Sequence, residues 1–247
     1  MATVRLDLEY DGSQFAGWAA QPNRRTVEGV LRDALRVVVR GEVTDLRVAG
    51  RTDAGVSATA QVVSLVLPDG FDPYRLREAL NGTLPDDVAV RQVAAVADGF
   101  DARSDALSRA YEYRLLLGPR SPLRRERVLR IRGVLDVAAM REAAARTVGQ
   151  HNFIAFTPTQ TEHVFFDRTV LVCDWQQRGD ELVFVVEANA FLRNMVRVLV
   201  GTMLQVGRGA MRVAQYEALL DGAPRDAAGP TAPAHPLTLV GVRYASS

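Results

Sequence analysis

Alternation of apolar and polar residues near the start of the chain predicts a β-strand with one buried face. Residues 3–10 alternate in this way, and the apolar side of the strand is formed by Val4, Leu6, Leu8 and Tyr10. From Thr26 the apolar spacing becomes helical and persists until Gly41, and the threonine hydroxyl is suited to cap the first turn. A strand followed by an amphipathic helix is therefore expected.

Similar local patterns continue through the first half of the chain. Three further strands are predicted there, at residues 46–49, 62–67 and 88–96. Asp72 and Pro73 are suited to begin a short helix between the last two of these strands, and Gly82 is suited to end it. The predicted order is strand, helix, strand, strand, helix, strand.

A second series of elements repeats this order. It consists of predicted strands at 111–117, 169–175, 182–188 and 237–244 and predicted helices at 136–148, 191–206 and 213–220. Both halves thus have the split βαβ pattern of a ferredoxin-like unit. We predict an α+β fold in which two tandem ferredoxin-like (βαββαβ) halves, residues 1–105 and 106–247, join in a mixed, mainly antiparallel central sheet.

Composition excludes several classes of protein. With 247 residues and 48% hydrophobic side chains, the chain can bury a substantial core, which argues against a disordered or fibrous protein. Neither a spanning apolar run nor a signal peptide is apparent, so a cytoplasmic protein without a membrane partner is expected. Cys173 is expected to be a buried free thiol, and the scattered residues His151, His163 and His235 do not suggest a metal site.

Charge is distributed unevenly although the net charge is only +1, and all 30 basic residues are arginine. Residues 114–132 contain seven arginines and a single acid, Glu126. Such a run is usually a solvated face, but it is also the pattern expected of a surface that contacts phosphates. The run therefore permits a nucleic-acid partner without establishing one.

The loop predicted at residues 49–58 is the segment most suited to catalysis. It places Arg51 and Asp53 between Gly50 and Gly55, whereas the corresponding point of the second half is only the tight turn 178–180. Glycines allow tight backbone geometry close to a ligand. An ordinary alternative is that Asp53 hydrogen-bonds the backbone of its own loop. A phosphate-binding loop is poorly supported, because no lysine follows and the glycine spacing differs.

At this loop the chain resembles the tRNA pseudouridine synthase A family, because Gly50-Arg51-Thr52-Asp53-Ala54-Gly55-Val56 is similar to its catalytic motif. The other similar segments follow in the same order as in the family: residues 9–18, Phe100-Asp101-Ala102-Arg103, Tyr111-Glu112-Tyr113-Arg114, residues 189–197 and residues 237–242. The resemblance therefore covers nearly the whole chain.

The resemblance implies both a fold and an activity. The family has tandem ferredoxin-like halves, which agrees with the order of elements predicted above. It converts uridine to pseudouridine at positions 38, 39 and 40 in the anticodon stem and loop of tRNA. It uses no metal and no organic cofactor, and it usually acts as a homodimer.

The resemblance also implies roles for five residues. Asp53 matches the catalytic aspartate, and Arg197 matches the arginine that pairs with that carboxylate. Arg51 matches the arginine that fills the gap left by the flipped base, although a salt bridge to Asp53 is an alternative. Tyr111 matches the tyrosine beneath the target base, and Leu237 matches a leucine that lines the pocket. A helix-surface arginine is the alternative for Arg197. Without the resemblance, Tyr111 would be an ordinary strand aromatic and Leu237 a core residue.

Three positions depart from the family pattern. Ser57 and Asp101 occupy positions where histidine is common, and Pro236 occupies one where glycine is common. None of them replaces a catalytic group, but they bear on RNA contacts and on the strand that closes the pocket. Substrate range is therefore open, and a synthase acting on another position or another RNA remains an alternative. A non-catalytic RNA-binding protein and a nucleotide-dependent α/β enzyme are further alternatives, of which the first leaves the Asp53 loop unexplained.

Overall fold

The chain divides into two units in the computed structural model, which describes residues 1–40, 43–68, 70–161 and 163–245. One unit comprises Met1–Arg109 together with the chain from Thr238 onward, and the other comprises Ala110–Leu237. The predicted halves, 1–105 and 106–247, differ from these units by four residues at the boundary. They also differ in the last strand, which the prediction grouped with the second half.

Hydrogen bonding in the first unit gives the strand order expected of a ferredoxin-like unit. Its elements are β1 (Ala2–Tyr10), α1 (Val27–Val39), β2 (Arg47–Val48), β3 (Ser57–Leu67), α2 (Pro73–Asn81) and β4 (Val88–Ala95). Strand β1 lies between β3 and β4 and is antiparallel to both, and β2 is antiparallel to β3. The order β4-β1-β3-β2 confirms the prediction for this part of the chain.

The first strand and helix form where their residue patterns predict. The side chains of Leu6 and Leu8 are completely buried, as expected for the apolar side of β1. Helix α1 begins after Thr26, whose hydroxyl accepts a hydrogen bond from the Gly29 N–H at 3.2 Å. Gly41, the predicted end of this helix, lies outside the described residues, and Arg40 adopts a left-handed conformation directly after the helix.

The last strand, β10 (Leu237–Tyr244), belongs to the first unit from Thr238 onward, whereas its first residue, Leu237, belongs to the second. Because β2 pairs only with the middle of β3, the start of β3 is available, and residues 238–239 pair with it in parallel. Near the end of β10, the Tyr244 hydroxyl donates to the Ala102 carbonyl at 2.7 Å, and its ring packs on Phe100. The position of β10 is therefore set by pairing with residues far away along the chain, which local patterns do not show.

The second unit contains a row of paired strands and a buried helix. Its elements are the latter part of β5 (Ala106–Leu116), β6 (Leu129–Arg130), α3 (Val137–Thr147), β7 (Gly149–Asn152), β8 (Asp167–Arg178), β9 (Glu181–Ala188), α4 (Met195–Gly207) and α5 (Val213–Glu217). The strands follow the order β5-β9-β8-β7, and β6 pairs in parallel with β5. The predicted α+β class with mixed, mainly antiparallel pairing is confirmed.

Several predicted boundaries were wrong. Strand β3 begins at Ser57 rather than at residue 62, so the last two residues of the predicted loop 49–58 belong to a strand. Helix α4 begins at Met195 rather than at residue 191, because Asn194 has a φ of 60°, which a helix interior does not accommodate. Strand β7 was not predicted, since Gly149–Asn152 has no apolar alternation.

Helices in the described residues are all too short or too polar to cross a bilayer.

The buried thiol of Cys173 yields the first testable prediction. Cys173 lies in β8 with 7% of its surface exposed, and burial raises the pKa of its thiol. Because the thiolate is the reactive form, the native protein should not react with dithiobis-nitrobenzoate at pH 8. One thiol per chain should react after unfolding in urea. Reaction of the native protein at the rate of a free thiol would contradict the predicted burial.

Candidate active site

The loop between β2 and β3 is held by main-chain hydrogen bonds to the segment that follows β1. The Trp18 N–H donates to the Thr52 carbonyl at 3.0 Å, and the Gly55 N–H donates to the Phe15 carbonyl at 3.2 Å. Thr52 and Gly55 of the loop are therefore both hydrogen-bonded to the same neighbouring segment, residues 15–18.

The central turn itself is a tight turn that needs a glycine. The Val56 N–H donates to the Asp53 carbonyl at 3.1 Å, and Gly55, the third residue of this turn, has a φ of 81°. A positive φ at the third position is the requirement of a type II turn. Asp53 is thus the first residue of a turn whose shape is set by main-chain bonding.

A buried polar network fixes the residue between Arg51 and Asp53. Thr52 is 7% exposed, and its hydroxyl lies 2.8 Å from the Tyr10 hydroxyl. The Gln61 amide donates to that tyrosine oxygen at 3.2 Å and to the Gly50 carbonyl at 2.8 Å.

Burial of this network has an electrostatic and a geometric consequence. Burial raises the pKa of Tyr10 to about 12, although its hydrogen bonds to Thr52 and Gln61 oppose the increase, so the phenol stays neutral. On either side of the buried Thr52, Arg51 is exposed and Asp53 is half-buried.

Close approach of two backbones explains why the segment after β1 contains a glycine. A Cβ on Gly12 would lie 2.0 Å from the Val56 carbonyl oxygen, a distance that no side chain can occupy. The Gly12 N–H also donates to the Ser57 hydroxyl at 3.0 Å. Ser57, one of the three departures from the family pattern, therefore helps to hold the loop in this chain.

Arg109 supports the start of the loop and was missed by the sequence analysis. Its buried guanidinium donates twice to the Ala49 carbonyl, at 2.9 and 2.8 Å, and also to the carbonyls of Arg103 and Ala106. A single arginine in a strand gives no sequence signal for such a role. The same holds for Gln61, which alternation alone places inside the sheet.

Asp101, the second departure, closes a turn in the first unit. Its carboxylate accepts hydrogen bonds from the Arg103 N–H at 2.7 Å and the Ser104 N–H at 3.0 Å. Burial raises the pKa of this carboxyl group, but the two N–H donors and the charge of Arg47 outweigh burial, and the pKa is lowered. The aspartate is thus used as a local turn former.

The second unit holds the other three predicted site residues. Tyr111 is 7% exposed, and its ring meets that of Phe191 edge to face, with centroids 5.1 Å apart. Leu237 is 4% exposed at the start of β10, and its N–H donates to the Ala234 carbonyl. Both residues are therefore well packed, as a pocket lining or a core position requires.

Arg197 lies in the first turn of α4 with its guanidinium oriented by two acceptors. Its Nε donates to the Ala232 carbonyl at 2.8 Å, and one terminal nitrogen donates to the Asn194 side-chain oxygen at 3.0 Å. Arg197 is half-buried, whereas Arg193 is exposed. Arg197 is therefore partly enclosed, unlike an ordinary helix-surface arginine, and Arg193 lies before the start of the helix.

Pro236, the third departure, takes part in the segment that connects these residues. The Ala232 N–H donates to the Arg197 carbonyl at 3.1 Å, and the Pro236 carbonyl accepts from the Arg114 N–H at 3.3 Å. Residues 232–236 thus run from the first turn of α4 to β5. Proline is tolerated there because its carbonyl, and not an N–H, makes the hydrogen bond.

Part of the arginine run 114–132 is neutralised by acids of the same unit. Arg114 forms ion pairs with Glu112 and Glu181, and Arg124 forms ion pairs with Glu181 and Asp180. Arg120 and Arg132 are exposed and have no acidic partner among the residues that the structure describes. A role of this run in phosphate contact stays a prediction.

Comparison with known proteins shows to which family the chain is similar. A family model described as tRNA pseudouridine synthase matches residues 8–104 and 143–245. Proteins named tRNA pseudouridine synthase A are similar over almost their whole length. The one from Frankia casuarinae is 46% identical over 99% of this chain and 90% of its own length. Those from Citrifermentans bemidjiense and Anoxybacillus flavithermus are 41% and 37% identical, over 99% of this chain and 98% and 99% of theirs.

The close approach at Gly12 predicts a specific loss of stability. Replacing Gly12 with alanine must displace the backbone of the loop at Val56, and it should lower the free energy of unfolding by about 1–3 kcal/mol. Gly82→Ala is the matched control, because a Cβ there meets nothing closer than 3.4 Å and φ is −74°. Urea unfolding measures both variants. Equal effects of the two substitutions would show that the contact with Val56 is unimportant.

Proposed function

Because the chain belongs to the tRNA pseudouridine synthase family, we propose that it isomerises uridine to pseudouridine at positions 38, 39 and 40 of the anticodon stem and loop of tRNA. The observation that carries the proposal is the loop at residues 50–56. This loop bears the family's catalytic motif, and hydrogen bonds along its length hold it. A preorganised loop of this kind is what a catalytic carboxylate requires.

The reaction explains why the site needs no redox or hydrolytic group. The bond from the ribose C1′ to N1 of uracil breaks, the detached base turns, and C1′ bonds to C5. The C5 proton leaves to solvent and N1 gains a proton, so atoms and electrons balance without a co-reactant. The protein must orient a freed base and supply one carboxylate and one group that helps remove the C5 proton.

Asp53 is proposed as the catalytic carboxylate. An aspartate at this position can act as a nucleophile or as a general base. The position of Asp53 in the turn is compatible with attack on the sugar, attack on the base or removal of a sugar proton. Its half-buried side chain next to an exposed arginine suits contact with a polyanionic substrate.

The other residues are proposed to bind the RNA and the flipped base. Arg51 is exposed on the same loop, where a planar cation can stack in the gap left by a flipped nucleotide. Tyr111 presents an aromatic ring suited to stacking on uracil, and Leu237 is proposed to line the pocket. Arg197 is the cation that the family resemblance pairs with the catalytic carboxylate, and its half-buried, doubly anchored guanidinium is suited to an ion pair.

Tritium release tests the proposal directly. With 5-tritiated uridine in an unmodified tRNA transcript and chelator present, the protein should release tritium in proportion to pseudouridine formed. Asp53→Ala should lower the rate by at least about 10³-fold, because it removes the reacting carboxylate. The matched control, Asp98→Asn, alters an exposed acid of the same unit and should keep the rate.

The possible results distinguish the proposal from its alternatives. Full activity of Asp53→Ala would exclude the carboxylate, and no release by the folded protein on any anticodon arm would favour a non-catalytic RNA-binding protein. Release from uridines elsewhere would instead indicate a synthase of another specificity. Release without added nucleotide or metal would exclude a nucleotide-dependent enzyme.

The assembly and its location are also proposed from the family. A homodimer in the cytoplasm, with the anticodon arm of tRNA as the partner, is the arrangement that we propose. Sedimentation velocity at working concentration should give a single species with twice the mass of the chain. A monomer that retains full activity would contradict the dimer without affecting the proposed reaction.

A further inference from the structure

Arg25 and Asp87 form an ion pair beside the segment that follows β1. Arg25 lies directly before the Thr26 cap of α1, and Asp87 lies directly before β4, 62 residues further along the chain. The two terminal nitrogens of the arginine each donate to a different carboxylate oxygen, and both distances are 2.7 Å. Two parallel hydrogen bonds of this kind fix the relative orientation of a guanidinium and a carboxylate.

The main chain of the same two residues bonds to the segment after β1. The Asp11 N–H donates to the Asp87 carbonyl at 2.9 Å, and the Ala16 N–H donates to the Arg25 carbonyl at 2.8 Å. The ion pair therefore joins the two residues that hold either end of residues 11–16.

Phe15, within this segment, packs against the guanidinium of Arg25. The Cζ atom of the arginine lies 4.1 Å from the centroid of the Phe15 ring, which is 4% exposed. A planar cation over an aromatic face is a favourable contact. The Phe15 carbonyl accepts from the Gly55 N–H at 3.2 Å, and Gly55 belongs to the turn that begins at Asp53. A continuous series of contacts thus runs from Asp87 through Arg25 and Phe15 to this turn.

Neither stability nor phosphate contact explains the pair well. The side chains of Arg25 and Asp87 are 40% and 26% exposed, and ion pairs open to water contribute little to the free energy of folding. Both terminal nitrogens of the arginine already donate to the aspartate, whose negative charge would oppose an approaching phosphate. What the pair supplies is orientation, because it fixes the guanidinium over the Phe15 ring.

We propose that Arg25 and Asp87 are positioning residues that hold Phe15, and through its bond to Gly55 the turn that carries Asp53. The inference rests on the proposed function, because it acts through the role proposed there for Asp53. Loss of either charged side chain should allow residues 11–16 to shift. A shift of the turn would misplace the carboxylate relative to the reacting atoms, and small displacements of a catalytic group lower the rate strongly.

Arg25→Met and Asp87→Asn test the inference, because they remove opposite charges from the same pair. Each should lower the turnover number in the tritium assay about 10-fold, while KM and the tRNA dissociation constant stay within about twofold. An arginine that binds phosphate would behave differently. Arg25→Met would then weaken RNA binding and reduce its salt dependence, whereas Asp87→Asn would keep the native turnover number. That result would overturn the inference.

Asp7→Asn is the matched control in the same unit. Asp7 accepts two hydrogen bonds from Arg5, at 3.0 and 2.7 Å, and the Arg5 guanidinium lies 5.0 Å from the centroid of the Tyr244 ring. The chemistry is the same, but among the described residues the side chains of this pair make no hydrogen bond to residues 11–18 or to the loop. Asp7→Asn should therefore keep the native turnover number.

A double-mutant cycle shows whether the two residues act as one unit. The turnover number of Arg25→Met/Asp87→Asn should be close to that of either single variant, because the first substitution already removes the pair. Rates are compared at a temperature at which urea unfolding shows every variant to be folded, so that a loss of stability alone leaves the turnover number unchanged. Losses that multiply in the double variant, or native turnover in both single variants, would overturn the inference. Absence of tritium release by the native protein would instead overturn the proposed function itself.

Discussion

The packing of the segment after β1 against the loop at residues 49–56 is the contact on which the candidate site depends. Gly12 approaches the Val56 carbonyl so closely that no side chain fits between them. Tyr10 and Thr52 share a buried hydrogen bond beside this contact. Because both backbones are hydrogen-bonded as well as packed, the loop has few alternative conformations. A side chain carried on such a loop is held in one direction by the structure around it.

The second unit orients a charged group by a different means. Asn194 adopts a left-handed conformation immediately before α4, and its side-chain oxygen accepts a hydrogen bond from Arg197. The Ala232 carbonyl accepts a second one. The half-buried guanidinium is thus oriented by two neutral acceptors. Asp53 and Arg51 belong to the first unit, whereas Tyr111, Arg197 and the start of β10 belong to the second.

The sequence indicated some of the residues that form or support the loop, but not others. The motif from Gly50 to Val56 was recognisable because its members are consecutive, and the resemblance then identified Asp53. Gln61 and Arg109 were not recognisable, although Gln61 lies in the strand that follows the loop and Arg109 in a strand 60 residues from Ala49 along the chain. Their hydrogen bonds end on main-chain carbonyls, which carry no residue-specific signal. A support of this kind becomes visible only when the strands are paired.

The sequence by itself determined the α+β class, the positions of β1, α1 and β10, and the family, through consecutive residues such as 50–56. These features depend on local periodicity, on caps such as Thr26 and on consecutive residues. Tertiary structure alone decided that β3 begins at Ser57, that α4 begins after Asn194 and that β10 joins the first unit. The limits of β3 and the position of β10 depend on pairing between residues far apart along the chain, and the start of α4 depends on the left-handed conformation of Asn194. Neither leaves a periodic pattern in the sequence.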